Sequence, residues 1–236
     1  IHLGHDQSAK AVVDCAIQED AHGVALTSYQ GGHVEYFTYI RQLLDEAGCK
    51  HIRIFGGGGG TITPPEIKTL HESGISKIYS PDDGRTMGLM GMIHHLMGVA
   101  SEVDLIHPNR IASLSGPVTP EDTAKVGLLL TMSESADDKT FKSTLEKCRS
   151  SEKEVSVIGF TGTGGAGKSS LLDELMLRIL RDNPGKKVCL LCVDPTRKRT
   201  GGALLGDRIR MNSLSNNDLY MRSLASRGSG SEISTN

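Results

Sequence analysis

The chain has 236 residues, a hydrophobic fraction of 37% and a net charge of −2. This length suits one large domain or two smaller ones, and the near-neutral charge indicates neither a nucleic-acid nor a membrane partner. The five cysteines are odd in number and scattered, which is not typical of a disulfide framework, and no apolar run is long enough to span a membrane. We therefore expect a cytoplasmic location.

The first hundred residues alternate between short apolar runs and helical patterns. We predict strands at residues 24–28, 51–55 and 77–79, and helical stretches at 35–47, at 64–73 and after 84 through 96. Residues 1–3 also read as a strand already under way. Short strands that alternate with helices favour a parallel sheet covered on both faces, so we expect an α/β domain over residues 1–100.

The character of the sequence changes over residues 101–154. Three prolines interrupt any long element, and residues 119–122 resemble the start of a helix, with an acid placed as in a capping box. Residues 137–149 are polar, with apolar residues at a helical spacing. We interpret this region as a helical linker, and a loose tether is the alternative.

The clearest motif lies in the last third of the chain. An apolar run predicts a strand at 155–160, and further patterns predict a helix at 168–181 and a second strand at 187–193. Between the first strand and the helix the chain reads GFTGTGGAGKSS, in which residues 162–169 fit the pattern G-x-x-x-x-G-K-[ST]. The position of this motif, after a strand and before a helix, is that of a phosphate-binding P-loop.

The residue types of this motif suit a nucleoside triphosphate. Glycines permit backbone angles that side chains block, so the amides of residues 164–167 can turn inward. The helix N-terminus adds partial positive charge where phosphate lies. Lys168 supplies a full positive charge to the β- and γ-phosphates, which makes it the candidate catalytic residue, and Ser169 offers a hydroxyl to Mg²⁺.

Two acids downstream of the motif are candidates for Mg²⁺. Asp194 comes at the end of the second predicted strand, at the edge where ligands of open α/β folds gather, and could hold Mg²⁺ directly or through water. Residues 201–211 read GGALLGDRIRM, a glycine-hinged loop that could close on the γ-phosphate. For Asp207 and Arg210 of this loop, a solvated salt-bridge pair is the alternative.

Three stretches, GFTGTGGAGKSSLLDEL, VDPTRKRTGGALLGDRIRM and MRSLASRGSGSEIS, together resemble the G-protein chaperones of adenosylcobalamin-dependent acyl-CoA mutases. The resemblance implies a P-loop GTPase domain over residues 155–236, which hydrolyses GTP and holds Mg²⁺ through Ser169, Asp194 and Asp207. The implied nucleotide-binding residues are Gly164, Gly165, Ala166, Gly167, Lys168, Ser169 and Arg210. The later glutamate-containing switch of that family and its N-K-x-D guanine reader do not occur in the sequence.

Two more glycine-rich loops follow the first two strands that we predict. Residues 28–33 read SYQGGH, and residues 56–60 are five glycines. Both loops lie at the same edge of a parallel sheet, where small residues leave space for a flat or elongated cofactor tail. Spacing alone leaves a ligand slot and flexible turns as equal alternatives.

The stretches GVALTSYQGGHVEY, IFGGGGGTI and IYSPDDG resemble the cobalamin-binding domain of the same mutases, and above all the fused isobutyryl-CoA mutases, in which this domain and the chaperone share one chain in this order. The resemblance implies a flavodoxin-like (Rossmann-like) domain without its first strand, in which Ser28, Gln30, Gly57 and Gly58 line the slot for the cobalamin nucleotide tail. The family's D-x-H-x-x-G loop, whose histidine ligates cobalt, is absent. We interpret His5 as a surface histidine in a turn.

The resemblance implies part of an isomerase that rearranges isobutyryl-CoA and n-butyryl-CoA, fused to a GTPase chaperone that gates cofactor loading. Its implied partners are an acyl-CoA substrate domain in the same longer chain, GTP or GDP, and a second copy in a homodimer. Since the sequence begins without methionine and ends in a loop-like stretch, we expect an excerpt of a longer polypeptide. A P-loop ATPase or kinase with an α/β regulatory module, a nickel metallochaperone and a non-enzymatic docking module are the alternatives.

Two further local signals are given structural interpretations, and a third stays open. Cys189 and Cys192 form a C-x-x-C inside an apolar strand, where side chains three apart point to opposite faces, so we expect buried structural thiols. Asp82 and Asp83 follow a strand and are more typical of a helix cap than of an acid–base pair. His33 could contact a cofactor or simply lie in the turn.

Overall fold

The computed structural model of the chain describes residues 1–149, 155–194 and 207–225. The chain divides into two compact units: the three-stranded unit, Ser8–Ser113, and the P-loop unit, which comprises Ile1–Gln7 and Leu114–Asn236. The helices and strands, in chain order, are α1 (Ala9–Gln18), β1 (Gly23–Thr27), α2 (His33–Glu46), β2 (Arg53–Gly57), α3 (Pro64–Glu72), β3 (Lys77–Tyr79), α4 (Pro81–Ser101), α5 (Pro108–Ala112), α6 (Thr123–Ser135), α7 (Asp138–Cys148), α8 (Lys168–Asp182), β4 (Val188–Asp194) and β5 (Leu219–Ala225). Two 3-10 helices, Asp207–Arg210 and Asn212–Ser215, precede β5.

The three-stranded unit contains a parallel sheet in the order β1-β2-β3. Leu26 of β1 is paired with Gly56 of β2, and Gly56 is paired with Ile78 of β3. Because all three strands run in the same direction, the loops that follow them lie at one edge of the sheet. The most deeply buried side chains of this unit are Phe37, Ile40, Leu44, Ile52, Ile54, Phe55, Leu70 and Ile78.

Polar residues fix the starts of two helices that leave this edge. Asp83 in the first turn of α4 accepts hydrogen bonds from the backbone N–H and the hydroxyl of Ser80. Glu66 in the first turn of α3 accepts the corresponding bonds from Thr63. Such bonds satisfy donors that the helix itself leaves without partners. The interpretation of Asp83 as a helix cap is confirmed.

The P-loop unit contains the parallel pair β4–β5, in which Leu190 is paired with Met221. One face of this pair packs against α8, because Leu190 of β4 is buried together with Met176 and Leu180 of the helix. Met211, which lies between the two 3-10 helices (together the 3-10 segment), belongs to the same core. On the other face of β4, Leu191 is 48% exposed, so the alternate residues of this strand are covered on one side.

A buried ion pair joins α6 to β5. Arg222 of β5 donates from Nη2 to Glu134 Oε2 at 3.0 Å and to Thr131 Oγ1 at 3.1 Å. Arg222 and Thr131 are both buried. A buried guanidinium needs such partners, since an unpaired buried charge is costly. Helix α6, which the sequence places in a linker, is therefore held against the sheet of the P-loop unit.

The mixed α/β class with parallel strands is confirmed. The predicted strands at 24–28, 51–55, 77–79 and 187–193 correspond to β1, β2, β3 and β4, and the predicted helices correspond to α2, α3, α4, α7 and α8 within a few residues. A flavodoxin-like topology for the first unit stays a prediction. None of the helices in the described ranges combines the length and the apolar character needed to cross a membrane.

Two strand predictions are wrong. Residues 1–3 and 155–160 form no strand in the described part of the chain. In the second segment, Val157 is 91% exposed and Ile158 is 72% exposed. An apolar run becomes a strand only when a neighbouring strand pairs with its backbone, and in the described ranges of this unit the paired strands are β4 and β5.

We expected Cys189 and Cys192 to lie on opposite faces of the strand, which is correct, and to be buried, which is wrong for Cys189. Cys192 is half-buried and packs against the core under β4, whereas Cys189 is exposed. The two side chains lie on opposite faces of the strand, as the period of two requires. Cys189 is exposed because it lies on the same uncovered face as Leu191.

Candidate functional site

The backbone of the P-loop turns through left-handed glycines. Gly165 has φ +80° and Gly167 has φ +84°, a region that side chains rarely adopt. A Cβ built on Gly164, Gly165 or Gly167 would have no described atom within 4 Å. Gly167 is the N-cap of α8, at the end of the helix where backbone amides have no acceptor within the helix itself. The arrangement can accept an anion through backbone amides.

Lys168 closes the loop in the structure. Its Nζ donates to the carbonyl oxygen of Gly162 at 2.6 Å and to that of Thr163 at 3.0 Å. The amide of Ala166 also donates to the Thr163 carbonyl, at 3.2 Å. The ammonium therefore lies inside the turn and shares the Thr163 carbonyl oxygen with the Ala166 amide. Ser169 is half-buried in the first turn of α8.

The structure describes the other candidate residues of this unit less completely. Asp194 is the last residue of β4 and Asp207 is the first residue of a 3-10 helix, but the side chains of both lie outside the described part of the chain. The loop of residues 195–206 between them also lies outside it. Arg210 ends the same 3-10 helix and is exposed.

Asp173 of α8 is a candidate that sequence reasoning missed. It is buried, at 7% exposure, and accepts hydrogen bonds from the backbone N–H of Ser213 at 2.8 Å and of Asn212 at 3.1 Å. The Asn212 side chain donates a third bond, also at 3.1 Å. An acid in the middle of a polar-looking helix gives no sequence signal for this role.

The hydrogen bonds of Asp173 set its ionisation. Burial alone would raise the pKa of this carboxyl, but the bonds from Ser213 and Asn212 together outweigh burial and hold the pKa below its ordinary value. Asp173 is therefore a carboxylate at neutral pH, bound by three N–H donors. It links α8 to the segment that follows Asp207.

At the carboxyl edge of the three-stranded sheet, the structure brings the four predicted cofactor residues together. The amide of Ser28 donates to the Gly57 carbonyl at 3.0 Å, and the Ser28 hydroxyl donates to the Gln30 carbonyl at 3.2 Å. A Cβ on Gly58 would lie 2.1 Å from the Ser28 carbonyl oxygen. The close approach of two loops therefore requires glycine at position 58, whether or not a ligand is present.

The open space at this edge of the sheet lies beside Gly31 and Gly32, and not at Gly58. A Cβ on Gly31 or Gly32 would have no described atom within 4 Å. Gly32 is also the left-handed N-cap of α2, with φ +82°. Gln30 is exposed and Ser28 is half-buried beside this space. The exposed loop and the helix N-terminus can receive a polar, elongated group, whereas Gly58 is explained by the packing of the chain itself.

His33 joins the two glycine-rich loops. It is buried, its Nδ1 lies 3.2 Å from the Gln30 carbonyl oxygen, and its Nε2 lies 3.3 Å from Glu66 Oε2. Glu66 in turn accepts from Thr63, which follows the second glycine-rich loop. The structure therefore places His33 between the first glycine-rich loop and the start of α3, and a contact with a cofactor stays a prediction.

Part of the chain matches the model of a known protein family. Residues 126–236 match the family model described as Methylmalonyl Co-A mutase-associated GTPase MeaB. The match begins in α6, the helix that the Arg222–Glu134 ion pair holds against β5. The resemblance to a G-protein chaperone is therefore confirmed for this part of the chain.

Whole-chain relatives extend the comparison to the three-stranded unit. The chain is 48% identical over 99% of its length to the fused isobutyryl-CoA mutase of Geobacillus kaustophilus, and 47% identical over 99% to that of Cupriavidus metallidurans. It is 48% identical over 97% of its length to the fused isobutyryl-CoA mutase of Nocardia farcinica. The matched segment covers 21–22% of each relative, so the chain spans about a fifth of their length. The resemblance to fused isobutyryl-CoA mutases is confirmed.

The lowered pKa of Asp173 predicts a pH-dependent stability. Because the pKa in the folded state lies below the unfolded value of about 4, the carboxylate stabilises the fold above that value and loses this effect as the pH falls through the folded pKa. Asp173→Asn should therefore lower the free energy of unfolding most at neutral pH and progressively less below about pH 4.

Urea titrations of both proteins between pH 7 and pH 3 measure this difference. Glu174→Gln, which removes an exposed carboxylate from the next position of α8, controls for the loss of charge. A difference between wild type and Asp173→Asn that stays constant over this range would contradict the assignment.

Proposed function

We propose that the P-loop unit binds and hydrolyses GTP with Mg²⁺, as the chaperone part of a longer acyl-CoA mutase. The observation that carries the proposal is the P-loop itself: Gly165 and Gly167 turn the backbone through left-handed angles at the start of α8, and Lys168 lies within the turn. The match to a GTPase family over residues 126–236 supports guanine as the base.

The proposed chemistry is electrostatic. Backbone amides of residues 164–167 hold the phosphate chain, for which the Ala166 amide leaves the Thr163 carbonyl. Lys168 likewise leaves the carbonyls of Gly162 and Thr163 to contact the β- and γ-phosphates. This exchange replaces two neutral acceptors with charged ones, which bind an ammonium more strongly. The charge of Lys168 then stabilises the negative charge of the transferring phosphoryl group.

For Mg²⁺ we propose Ser169, Asp194 and Asp207 as the protein ligands, directly or through water. A hydroxyl and carboxylates are oxygen donors of the kind that Mg²⁺ prefers, and the ion usually takes few of them from the protein. Ser169 opens α8 beside the P-loop, and Asp194 ends β4 at the carboxyl edge of the pair. Arg210 is proposed to lie near the phosphates from the exposed side of its 3-10 helix.

For the three-stranded unit we propose a part in holding adenosylcobalamin. Ser28, Gln30 and Gly57 would contact the nucleotide tail at the carboxyl edge, where Gly31 and Gly32 leave space, and Gly58 would keep the two loops close. Bound adenosylcobalamin supplies radical chemistry for carbon-skeleton rearrangement. The names of the fused isobutyryl-CoA mutases support isobutyryl-CoA as a substrate of the longer protein. A substrate domain in that protein, n-butyryl-CoA as the second member of the substrate pair and a homodimer belong to the same proposal.

Replacement of Lys168 tests the GTPase proposal. Lys168→Ala should lower the rate of GTP hydrolysis by the intact protein that carries this chain by about 100-fold or more, because removing a preorganised charge from a phosphoryl-transfer site costs this order. Arg178→Ala is the matched control, since Arg178 is an exposed cation of the same helix that pairs with Glu174. Phosphate release with saturating Mg²⁺ measures both rates, and a Lys168→Ala rate within twofold of wild type would refute the role.

Coupling between the two sites tests the chaperone proposal. If nucleotide state gates cofactor loading, cobalamin must change the affinity for GTP by the same factor that GTP changes the affinity for cobalamin. We expect a change of about fivefold or more when GTP affinity is measured on the intact protein with and without bound adenosylcobalamin. Equal affinities in both states would leave a GTPase that has no gating role.

A further inference from the structure

We propose that Asp173 is a positioning residue that fixes the segment after Asp207 against α8, and that this contact sets the Mg²⁺ requirement of GTP hydrolysis. The inference rests on the proposed function, because it assigns Asp173 a part in the same nucleotide site. It adds a residue that lies outside the phosphate-binding motif and outside the proposed set of Mg²⁺ ligands.

Asp173 joins two pieces of backbone that are far apart in the sequence. It lies on α8, while Asn212 and Ser213 begin a 3-10 helix 39 and 40 positions later. Oδ1 accepts from the Ser213 amide, and Oδ2 accepts from the amide and the side chain of Asn212. Asp173 is buried, and Ser213 is 0% exposed. Three bonds to one buried carboxylate give a contact with little freedom to shift.

A second anchor holds the other part of the segment. Arg208, next to Asp207, is buried and donates from Nη1 to the carbonyl oxygen of Met221 in β5, at 3.1 Å. Between the two anchors, Met211 is buried in the core with α8 and β4. The backbone from residue 208 to residue 213 is thus fixed to β5 at one end and to α8 at the other.

The same helix carries both the anchor and a proposed Mg²⁺ ligand. Ser169 precedes Asp173 by four residues, and residues four apart lie on one face of a helix. The Asp173 contact holds the segment that follows Asp207 one turn of α8 away from Ser169. It therefore fixes the distance between the backbone near Asp207 and Ser169. Mg²⁺ demands near-ideal octahedral geometry, so a small displacement of one ligand relative to another weakens its binding.

A purely structural role for Asp173 makes a different prediction. If the three bonds only stabilise the fold, their loss lowers the free energy of unfolding and leaves the Mg²⁺ dependence of hydrolysis unchanged. If they position Asp207, their loss raises the Mg²⁺ concentration needed for half-maximal hydrolysis. GTP binding measured without Mg²⁺ should not change, because the P-loop amides and Lys168 are untouched.

The experiment measures GTP hydrolysis by the intact protein as a function of Mg²⁺ concentration for four proteins. Wild type is compared with Asp173→Asn, Asn212→Ala and the control Glu174→Gln, whose carboxylate is exposed and pairs with Arg178. Asp173→Asn should raise the half-saturating Mg²⁺ concentration about tenfold, since charge-assisted hydrogen bonds are lost. Asn212→Ala removes one bond of the three at an exposed position and should raise it about threefold.

The outcomes separate this inference from the proposed function. The positioning role would be overturned if Asn212→Ala had the same half-saturating Mg²⁺ concentration as the control Glu174→Gln, and if Asp173→Asn, where it folds, had that concentration too. The GTPase would then remain intact. If Asp173→Asn does not fold, Asn212→Ala decides the question. Absence of Mg²⁺-dependent hydrolysis in the wild type would remove the proposed function and the inference together.

Discussion

The turn at the start of α8 constrains the whole P-loop unit. Gly165 and Gly167 take backbone angles that other residues rarely adopt, and Gly167 is the N-cap of the helix. A side chain at either position would strain the turn. From this point the chain becomes a helix that carries Lys168 and Ser169 in its first turn, so the amides, the ammonium and the hydroxyl that we propose for phosphate and Mg²⁺ are arranged by one piece of backbone.

Packing of α8 fixes this turn relative to the rest of the unit. The helix buries Met176 and Leu180 against Leu190 of β4, and its Asp173 holds the segment that leads into β5. The run that precedes the loop, residues 155–160, contributes no strand in the described part of the chain. The position of the P-loop in this structure therefore depends on the helix after it, and the buried contacts of α8 link the proposed nucleotide site to the core.

The sequence predicted the features whose cause is local. Glycine spacing indicated the P-loop because left-handed angles need glycine at particular positions, and alternation of apolar runs with helical patterns indicated β1 to β4. Strand β5 was missed because its sequence, LYMRSLA, contains Arg222, and the partners that satisfy this buried charge, Glu134 and Thr131, are about ninety residues away. The strand at 155–160 was wrong because pairing depends on a neighbour that the local sequence does not specify.

The residues of the candidate site also fall into those that local sequence identifies and those that only tertiary packing explains. Motif residues were recognisable because their chemistry requires fixed types at fixed spacing. Gly58 was attributed to a ligand, whereas its nearest neighbour is the Ser28 carbonyl of an adjacent loop. Asp173 gave no signal because an acid on a helix is typical of a solvated face, and its burial arises only when the 3-10 segment folds onto α8. Contacts made by tertiary packing are the part that sequence reasoning could not supply.

The central claim is that residues 162–169 bind the phosphate chain of a nucleotide, and calorimetry tests it most directly. The intact protein would be titrated with GTP, GDP and GMP in the presence of Mg²⁺, so that base and ribose stay constant while phosphates are removed. The account predicts measurable heats of binding for GTP and GDP and a large loss of affinity for GMP, because the loop contacts the β- and γ-phosphates. Equal affinity for all three nucleotides, or no binding of GTP, would contradict it.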